Sequence, residues 1–325
     1  MIKHLYTVSA AGNDPLVNLA AESALMETAQ KDALIFYLWQ NDNTIVIGRN
    51  QNLYKECSLI NAERDHVHIV RRPSGGGAVY HDRGNLNFTF ITDDENFDTK
   101  RQSNIIVSAL QKAGLKTELS GRNDLLIDGR KFSGNAYWRH NGFSYHHGTL
   151  LVSSDLSKMP LYLKPDPLKL KANSVNSVKS RVTNLSEYAR DLDIASLSKL
   201  LILAAEKEYG CDGEEISFPK GEVFAKYYDL YSSKDWIFGK NPPFDLCFEK
   251  RFGWGGIELC FSVKNGRIEE CAVYSDSLKP AEIETIPVLL KHCSFAKESV
   301  TKRLALMESS EIKEDLIAWL STKEF

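Results

Sequence analysis

Between Ser58 and Gly210 the chain has no cysteine, so this stretch can supply no thiol nucleophile. The six cysteines stand at positions 57, 211, 247, 260, 271 and 293, and no two have Cys-x-x-Cys spacing. That spacing argues against a zinc site and reads as scattered, reduced core residues. Gly-x-x-x-x-Gly-Lys-Ser/Thr is absent, which excludes a P-loop. Gly-x-Ser-x-Gly is absent too, which excludes a nucleophile-elbow hydrolase. Positive charge is not in excess: 40 Lys and Arg face 43 Asp and Glu, so nucleic acid is not an expected partner. The longest clean apolar run, Ala33 to Trp39, is too short to cross a bilayer. Met1 to Asp14 holds a lone Lys3 and no apolar core. No secretory leader is expected there, and a cytoplasmic location is. Internal repeats and low-complexity segments are missing as well.

What is present is an ordinary globular composition, 43% hydrophobic and 26% charged over 325 residues. That length suits two domains. The chain is organised around Arg71-Arg72-Pro73-Ser74-Gly75-Gly76-Gly77-Ala78-Val79-Tyr80-His81-Asp82. Three consecutive glycines let backbone N–H groups approach a ligand with no side chain in the way. The paired arginines add charge and forked donors suited to phosphate or carboxylate. A hairpin turn would need glycine but not the arginines, so the stretch reads as an anion cradle.

The flanking pattern is α+β. His4 to Val8 reads as a strand. Asp14-Pro15 then caps and opens a helix that runs to Ala29 and contains Glu22. Strands follow at Ala33 to Trp39 and Thr44 to Ile47, with hairpin chemistry at Asn41-Asp42-Asn43 between them. A short helix over Leu59 to Arg64 and a strand at Val67 to Val70 lead into the glycine stretch. Leu86, Phe88 and Phe90 alternate with polar residues, the mark of a half-buried strand. Asp98 opens a helix ended by Gly114. Strands are expected at 117–119, 125–127, 131–138 and 143–152, with two-residue turns at Asp128-Gly129 and Asn141-Gly142. The 164–183 segment is rich in Lys and Arg. It is either a solvated loop or a cover for a charged ligand. Helices follow at 194–209 and 222–231. Near Asn241-Pro242-Pro243 the character changes, and strands at 245–252, 256–263 and 268–274 precede helices at 281–292 and 311–320. This divides the chain into residues 1–245, a large mixed sheet with helices, and 246–325, a smaller α+β unit.

Three further clusters carry polar chemistry: Gly121-Arg122-Asn123-Asp124, Gly129-Arg130-Lys131-Phe132-Ser133-Gly134 and His146-His147-Gly148-Thr149. Lys131 is followed by small residues, which let a ligand come close. Asn123 and Asp124 offer hard oxygens suited to Mg²⁺, or equally an Asx turn. Neighbouring His146 and His147 point to opposite faces of a strand and cannot share a metal as a simple pair. An Arg/Gly cradle, a lysine and oxygen donors together suit activation of a carboxylate by a nucleotide.

At these residues the chain resembles the lipoate–protein ligases. The shared pattern is Arg71-Arg72-x-Ser74-Gly75-Gly76-Gly77-Ala78-Val79-x-His81-Asp82-x-Gly84-Asn85, then Gly121 to Asp124, Arg130-Lys131-x-Ser133-Gly134, His146 to Leu151, Ser177 to Leu185 and Trp254-Gly255-Gly256. The resemblance implies a catalytic domain related to biotin ligases plus a C-terminal domain that moves after adenylation. It implies a two-step reaction in which lipoate and Mg·ATP give lipoyl-AMP and pyrophosphate. The lipoyl group then passes to a lysine of a lipoyl-domain acceptor, an E2 subunit of a 2-oxoacid dehydrogenase or the glycine cleavage H protein. By position, Lys131 is the catalytic residue. Arg72, Gly77, Ala78, Val79, Tyr80, Lys131, Ser133, Gly148, Thr149 and Arg181 face the nucleotide. Glu22, Arg71, Ser74, Gly75, Gly76, His81 and Lys131 face lipoate. Asn123 and Asp124 hold Mg²⁺. No tightly bound prosthetic group is implied, and nothing demands an oligomer. An octanoyltransferase of the same superfamily is the rival enzyme, and a non-catalytic lipoate- or acceptor-binding protein is the rival of another class.

Overall fold

The computed structural model describes residues 1–120, 124–164, 182–238 and 246–323. Asn123, Arg181, most of the basic 164–183 segment and Asn241-Pro242-Pro243 lie outside the described residues.

The strands in chain order are β1 (His4–Ser9), β2 (Ala33–Trp39), β3 (Thr44–Ile47), β4 (His68–Arg71), β5 (Val79–His81), β6 (Asn85–Asp93) and β7 (Glu118–Ser120). They continue with β8 (Asp124–Ile127), β9 (Arg130–His140), β10 (Phe143–Leu151), β11 (Gly213–Glu215), β12 (Leu246–Phe252), β13 (Gly255–Lys264) and β14 (Arg267–Ser275). Eight of them form one mixed sheet in the order β11-β1-β2-β6-β10-β9-β8-β7. The β1 and β2 pair is parallel. It is bridged by the helix Pro15–Glu27, whose first turn is capped by the Asp14 carboxylate accepting from the Leu16 and Val17 N–H groups. From β2 to β7 the neighbours run antiparallel. Asp128-Gly129 and Asn141-Gly142 turn with positive φ at both positions, the geometry that two-residue hairpins require.

Both faces of this sheet are covered. Helices Thr99–Lys112 and Ile194–Tyr209 pack Ile106, Leu110, Leu197 and Leu201 against Phe36, Phe88 and Phe90. Helices Pro15–Glu27 and Glu222–Ser232 cover the other face, over Ile35, Tyr37, Ile91 and Tyr145. Hence β6, expected to be half-buried, is buried at all nine positions. Of its alternate polar residues, Thr89 meets Glu22 of the covering helix and Asn87 lines a cavity.

The expected hairpin at Asn41-Asp42-Asn43 is not one. The chain there crosses to a second sheet of order β4-β3-β5. Asn41 is fully buried and bonded to Asn18 and His81, so a turn-like sequence serves as a polar strut. This small sheet carries the glycine stretch from the end of β4 to the start of β5.

Residues from β12 onward build a three-stranded antiparallel sheet. It is backed by helices Pro280–Leu290, Lys297–Leu304 and Glu311–Leu320, with its own core around Leu259, Phe261, Ile283 and Leu316. Lys297–Leu304 was not anticipated, because only Val300 and Leu304 of its eight residues are buried. The cysteines are not all reduced: Cys247 and Cys260, directly opposite on β12 and β13, form a disulfide. The antiparallel register, invisible in a 13-residue separation, brings them together. No helix among the described residues is long and apolar enough to cross a membrane.

The turn after β14 reaches back to the glycine stretch. Gly76 N–H donates to the Ser277 carbonyl at 3.1 Å and Ser275 N–H to the Asn50 carbonyl at 2.8 Å. Lys55 pairs with Glu258 at 2.6 Å. A Cβ on Gly75 would collide with the Ser277 carbonyl oxygen. Gly75→Ala is therefore expected to cost about 1–3 kcal/mol of stability by overpacking. Urea unfolding measures it, and unchanged stability would contradict this packing.

Candidate functional site

The floor of the site is one row of residues across five strands. Trp39 on β2 stands opposite Asn87 on β6, and Asn87 opposite Thr149 on β10. Gly134 on β9 donates its N–H to the Thr149 hydroxyl at 3.1 Å and pairs with Asp124 on β8. Directly opposed residues share a face, so the register alone aligns these five. All five line a cavity of about 450 Å³, within the usual range for small-molecule sites. Leu19, Val46 and Trp39 make its apolar end. At the other end Lys131 Nζ lies 2.7 Å from Asp124 Oδ1. A Cβ on Gly134 would stand 3.0 Å from the Lys131 ammonium, a tight contact.

The glycine stretch forms one wall through Gly76, Gly77, Ala78 and Val79. Here the two arginines do something other than expected. Arg71 Nη1 donates to the carbonyls of Gly48, Arg49 and Gln51, and its Nε and Nη2 reach Trp236 and Ile237. Arg72 donates to the Ser74 hydroxyl and to the carbonyls of Gly75, Gly77 and Val46. Their donors hold the loop in shape instead of waiting for an anion. Arg71 does not line the cavity; Arg72 does. Burial brings both guanidinium groups down to about 10, so their charge remains at neutral pH.

A buried chain of hydrogen bonds braces the next row. Glu22 Oε1 accepts from the Thr89 hydroxyl at 2.7 Å and meets His147 Nδ1 at 2.8 Å. His147 Nε2 meets Ser74 Oγ at 2.8 Å. Thr89 and His147 are opposite each other on β6 and β10, and His147 lines the cavity. Helix Pro15–Glu27, the sheet and the glycine stretch are thus tied through one imidazole. His146, on the other face, bonds Gln102 and Asn135 inside the core. The last wall comes from Arg251, Trp254, Asp276 and Leu278, with Arg251 held to Asp276 at 3.3 Å.

Comparison with known proteins settles the family. Residues 14–206 match the lipoyl protein ligase A/B catalytic domain and residues 241–320 the bacterial lipoate protein ligase C-terminus. The chain is 39% identical over 306 residues to lipoate-protein ligase A of Psychrobacter cryohalolentis, covering 91% of this chain and 90% of that one. The chain belongs to the lipoate–protein ligase family. LipL1 of P. falciparum, solved in complex with lipoate, superposes with a TM-score of 0.88 at 28% identity, covering 98% of this chain and all of that one. A lipoate-protein ligase A solved with ATP superposes at 0.63 with 25% identity, over 74% of this chain and 99% of that one. The α+β architecture, a large mixed sheet with a smaller C-terminal unit, is that of the lipoate ligases.

Within this ligase, Arg72, Gly76, Gly77, Ala78, Val79, His81, Asp124, Lys131, Gly148 and Thr149 meet at one cavity. Glu22 and Ser74 stand just behind it through His147. Arg71, Gly75, Tyr80 and Ser133 do not line it. Gly75 and Arg71 instead hold backbone, while Tyr80 donates to Asn43 in the small sheet. The residues that sequence reasoning missed are Trp39 and Asn87 on the floor and Arg251 and Asp276 opposite, while His147, named in its cluster, has a hydrogen-bonding role. Alternation on β6 put Asn87 on the polar face, but only the register places it in a pocket.

Burial holds the His81 and His146 imidazoles down at about 3, against about 6.5 in an unfolded chain. Below pH 6.5 the unfolded chain takes up protons that the two folded rings refuse, so stability falls with pH down to about 3. Between pH 7 and 5 the loss is expected to be about 2 kcal/mol per ring. Urea unfolding at the two pH values measures it, and equal stability would show that the rings accept protons in place.

Proposed function

We propose that this ligase activates lipoate with ATP, forming lipoyl-AMP and pyrophosphate. It then transfers the lipoyl group to a lysine of a lipoyl-domain acceptor, an E2 subunit or the glycine cleavage H protein. The observation that carries this reading is the floor row. It runs from an apolar end at Trp39 to Lys131 and Asp124, with glycine-stretch backbone alongside. An acyl chain lies along the apolar part while its carboxylate meets the nucleotide at the lysine. The relatives support it. One is named for its complex with lipoate, another for bound ATP. A third, from Thermoplasma acidophilum, is described as a bi-partite ligase with its E2 lipoyl domain. In this reading residues 1–245 carry the chemistry and 246–325 close the nucleotide side through Arg251 and Asp276.

In the first step a carboxylate oxygen attacks the α-phosphorus and pyrophosphate leaves. Both reactants are anionic, so the barrier is electrostatic. Lys131 offsets that charge, the buried charge of Arg72 adds to it, and Gly77, Ala78 and Val79 supply backbone toward the phosphates. Mg²⁺ would neutralise phosphate charge. The Asp124 carboxylate, a hard donor facing the cavity, fits that ion. In the second step the acceptor amine attacks the acyl carbon and AMP leaves, with Lys131 beside the developing oxyanion. No protein nucleophile is needed. Among the described residues no cysteine lines the cavity, and burial pushes the Cys57 thiol up to about 12. This disfavours an octanoyltransferase working through an acyl-cysteine.

Lys131→Ala is expected to lower lipoate-dependent exchange of labelled pyrophosphate into ATP by about a hundredfold or more, with cooperative unfolding retained. Undiminished exchange in the folded variant would remove Lys131 from the activation step.

A further inference from the structure

The apolar end of the cavity contains hydrogen-bonding atoms with nothing to bind. His81 Nε2 and Asn87 Nδ2 are buried and without partners, and both residues line the cavity. The protonation of His81 follows from backbone. Asn18 Nδ2 donates to the Gln40 carbonyl at 2.8 Å and to that of Gly12 at 3.2 Å, which sets the orientation of its amide. The same nitrogen meets Asn41 Oδ1 at 3.1 Å, so Asn41 presents Nδ2 to His81 Nδ1 at 3.3 Å. His81 Nδ1 accepts, and its proton sits on Nε2. Burial keeps the ring neutral. Asn85 and Asn87 share one amide–amide hydrogen bond at 2.9 Å, which leaves the other end of the Asn87 amide unpaired. A donor from His81 and an unpaired amide end of Asn87 therefore stand beside Leu19, Trp39 and Val46 in the cavity wall.

Their place along the pocket is set by the sheet. Asn87 is two strands from Gly134, where the Lys131 ammonium lies. At the usual strand spacing that is roughly 10 Å, about the reach of an extended eight-carbon acid whose carboxylate is at Lys131. His81 is at the same end, edge-on to Trp39 with ring centroids 6.4 Å apart. A tail that is only hydrocarbon would strip water from both groups and leave them unpaired. A buried donor without a partner is unfavourable, whereas a sulfur atom is polarisable and a weak acceptor.

Building on the lipoate-activating reading, we infer that His81 and Asn87 select the acid by its tail, favouring a dithiolane over a plain alkyl end. Asn87 is then a specificity-determining residue, and the Gly12–Asn18–Asn41 strut acts on the tail by fixing which nitrogen of His81 carries the proton.

The test uses the full chain with ATP and Mg²⁺, reading pyrophosphate exchange with lipoate and with octanoate. Wild type is expected to favour lipoate in kcat/KM by about tenfold. Asn87→Leu should bring the ratio close to one, chiefly by improving octanoate, while Asn87→Ser, which keeps a donor, retains most of the preference. Equal use of the two acids by wild type would overturn the inference, and that result needs no variant to fold. So would an unchanged ratio in a folded Asn87→Leu. Exchange with neither acid in wild type would overturn the activation reading itself, a result distinct from equal use.

Discussion

The site depends on the register of five neighbouring strands. Because Trp39, Asn87, Thr149, Gly134 and Asp124 come into line, residues up to 110 positions apart in the chain share one floor. A slip of one residue in any of these pairs would turn its side chains to the opposite face, into the layer around Phe88 and Phe90. The large apolar residues packed on both faces are what make that slip costly. The core and the site are therefore the same constraint read from two sides of the sheet.

Charge is organised to be held before any ligand arrives. Arg71 and Arg72 sit almost without solvent contact, and their donors end on loop carbonyls. Buried charge is tolerable when its hydrogen bonds are complete. Here they also shape a run of glycines that would otherwise sample many conformations. Glu22 performs the same service for His147. Among the described residues, Lys131 and Arg251 bring further positive side chains to the cavity, each paired with a carboxylate, Asp124 or Asp276, that a cation or phosphate can compete for. A shaped, rigid cradle facing such exchangeable pairs is the arrangement that preorganised electrostatic catalysis asks for.

Much of this was legible in the sequence. Capping residues, two-residue turns and apolar period placed most strands and the long helices, and the glycine stretch marked the site. The misreadings have physical causes. Asn41-Asp42-Asn43 has turn chemistry, but its amides are used by buried partners. β6 alternates, yet it is covered on both faces, and alternation reports polarity rather than exposure. Arg71 looks like a ligand-binding residue because sequence shows a donor and not its acceptor. Arg251 and Asp276 belong to the smaller sheet and reach the cavity only through the fold of the turn after β14. The Cys247–Cys260 pair likewise exists only in the register of β12 and β13.

The central claim is that the cavity joins a carboxylate to ATP and passes the acyl group to a protein lysine. The most direct measurement is the intact mass of an apo lipoyl domain after incubation with the chain, lipoate, ATP and Mg²⁺. The account predicts a gain of one lipoyl group that requires ATP and is lost when the acceptor lysine is replaced. A gain without ATP, drawn from an acyl carrier, or no gain under any of these conditions, would contradict it.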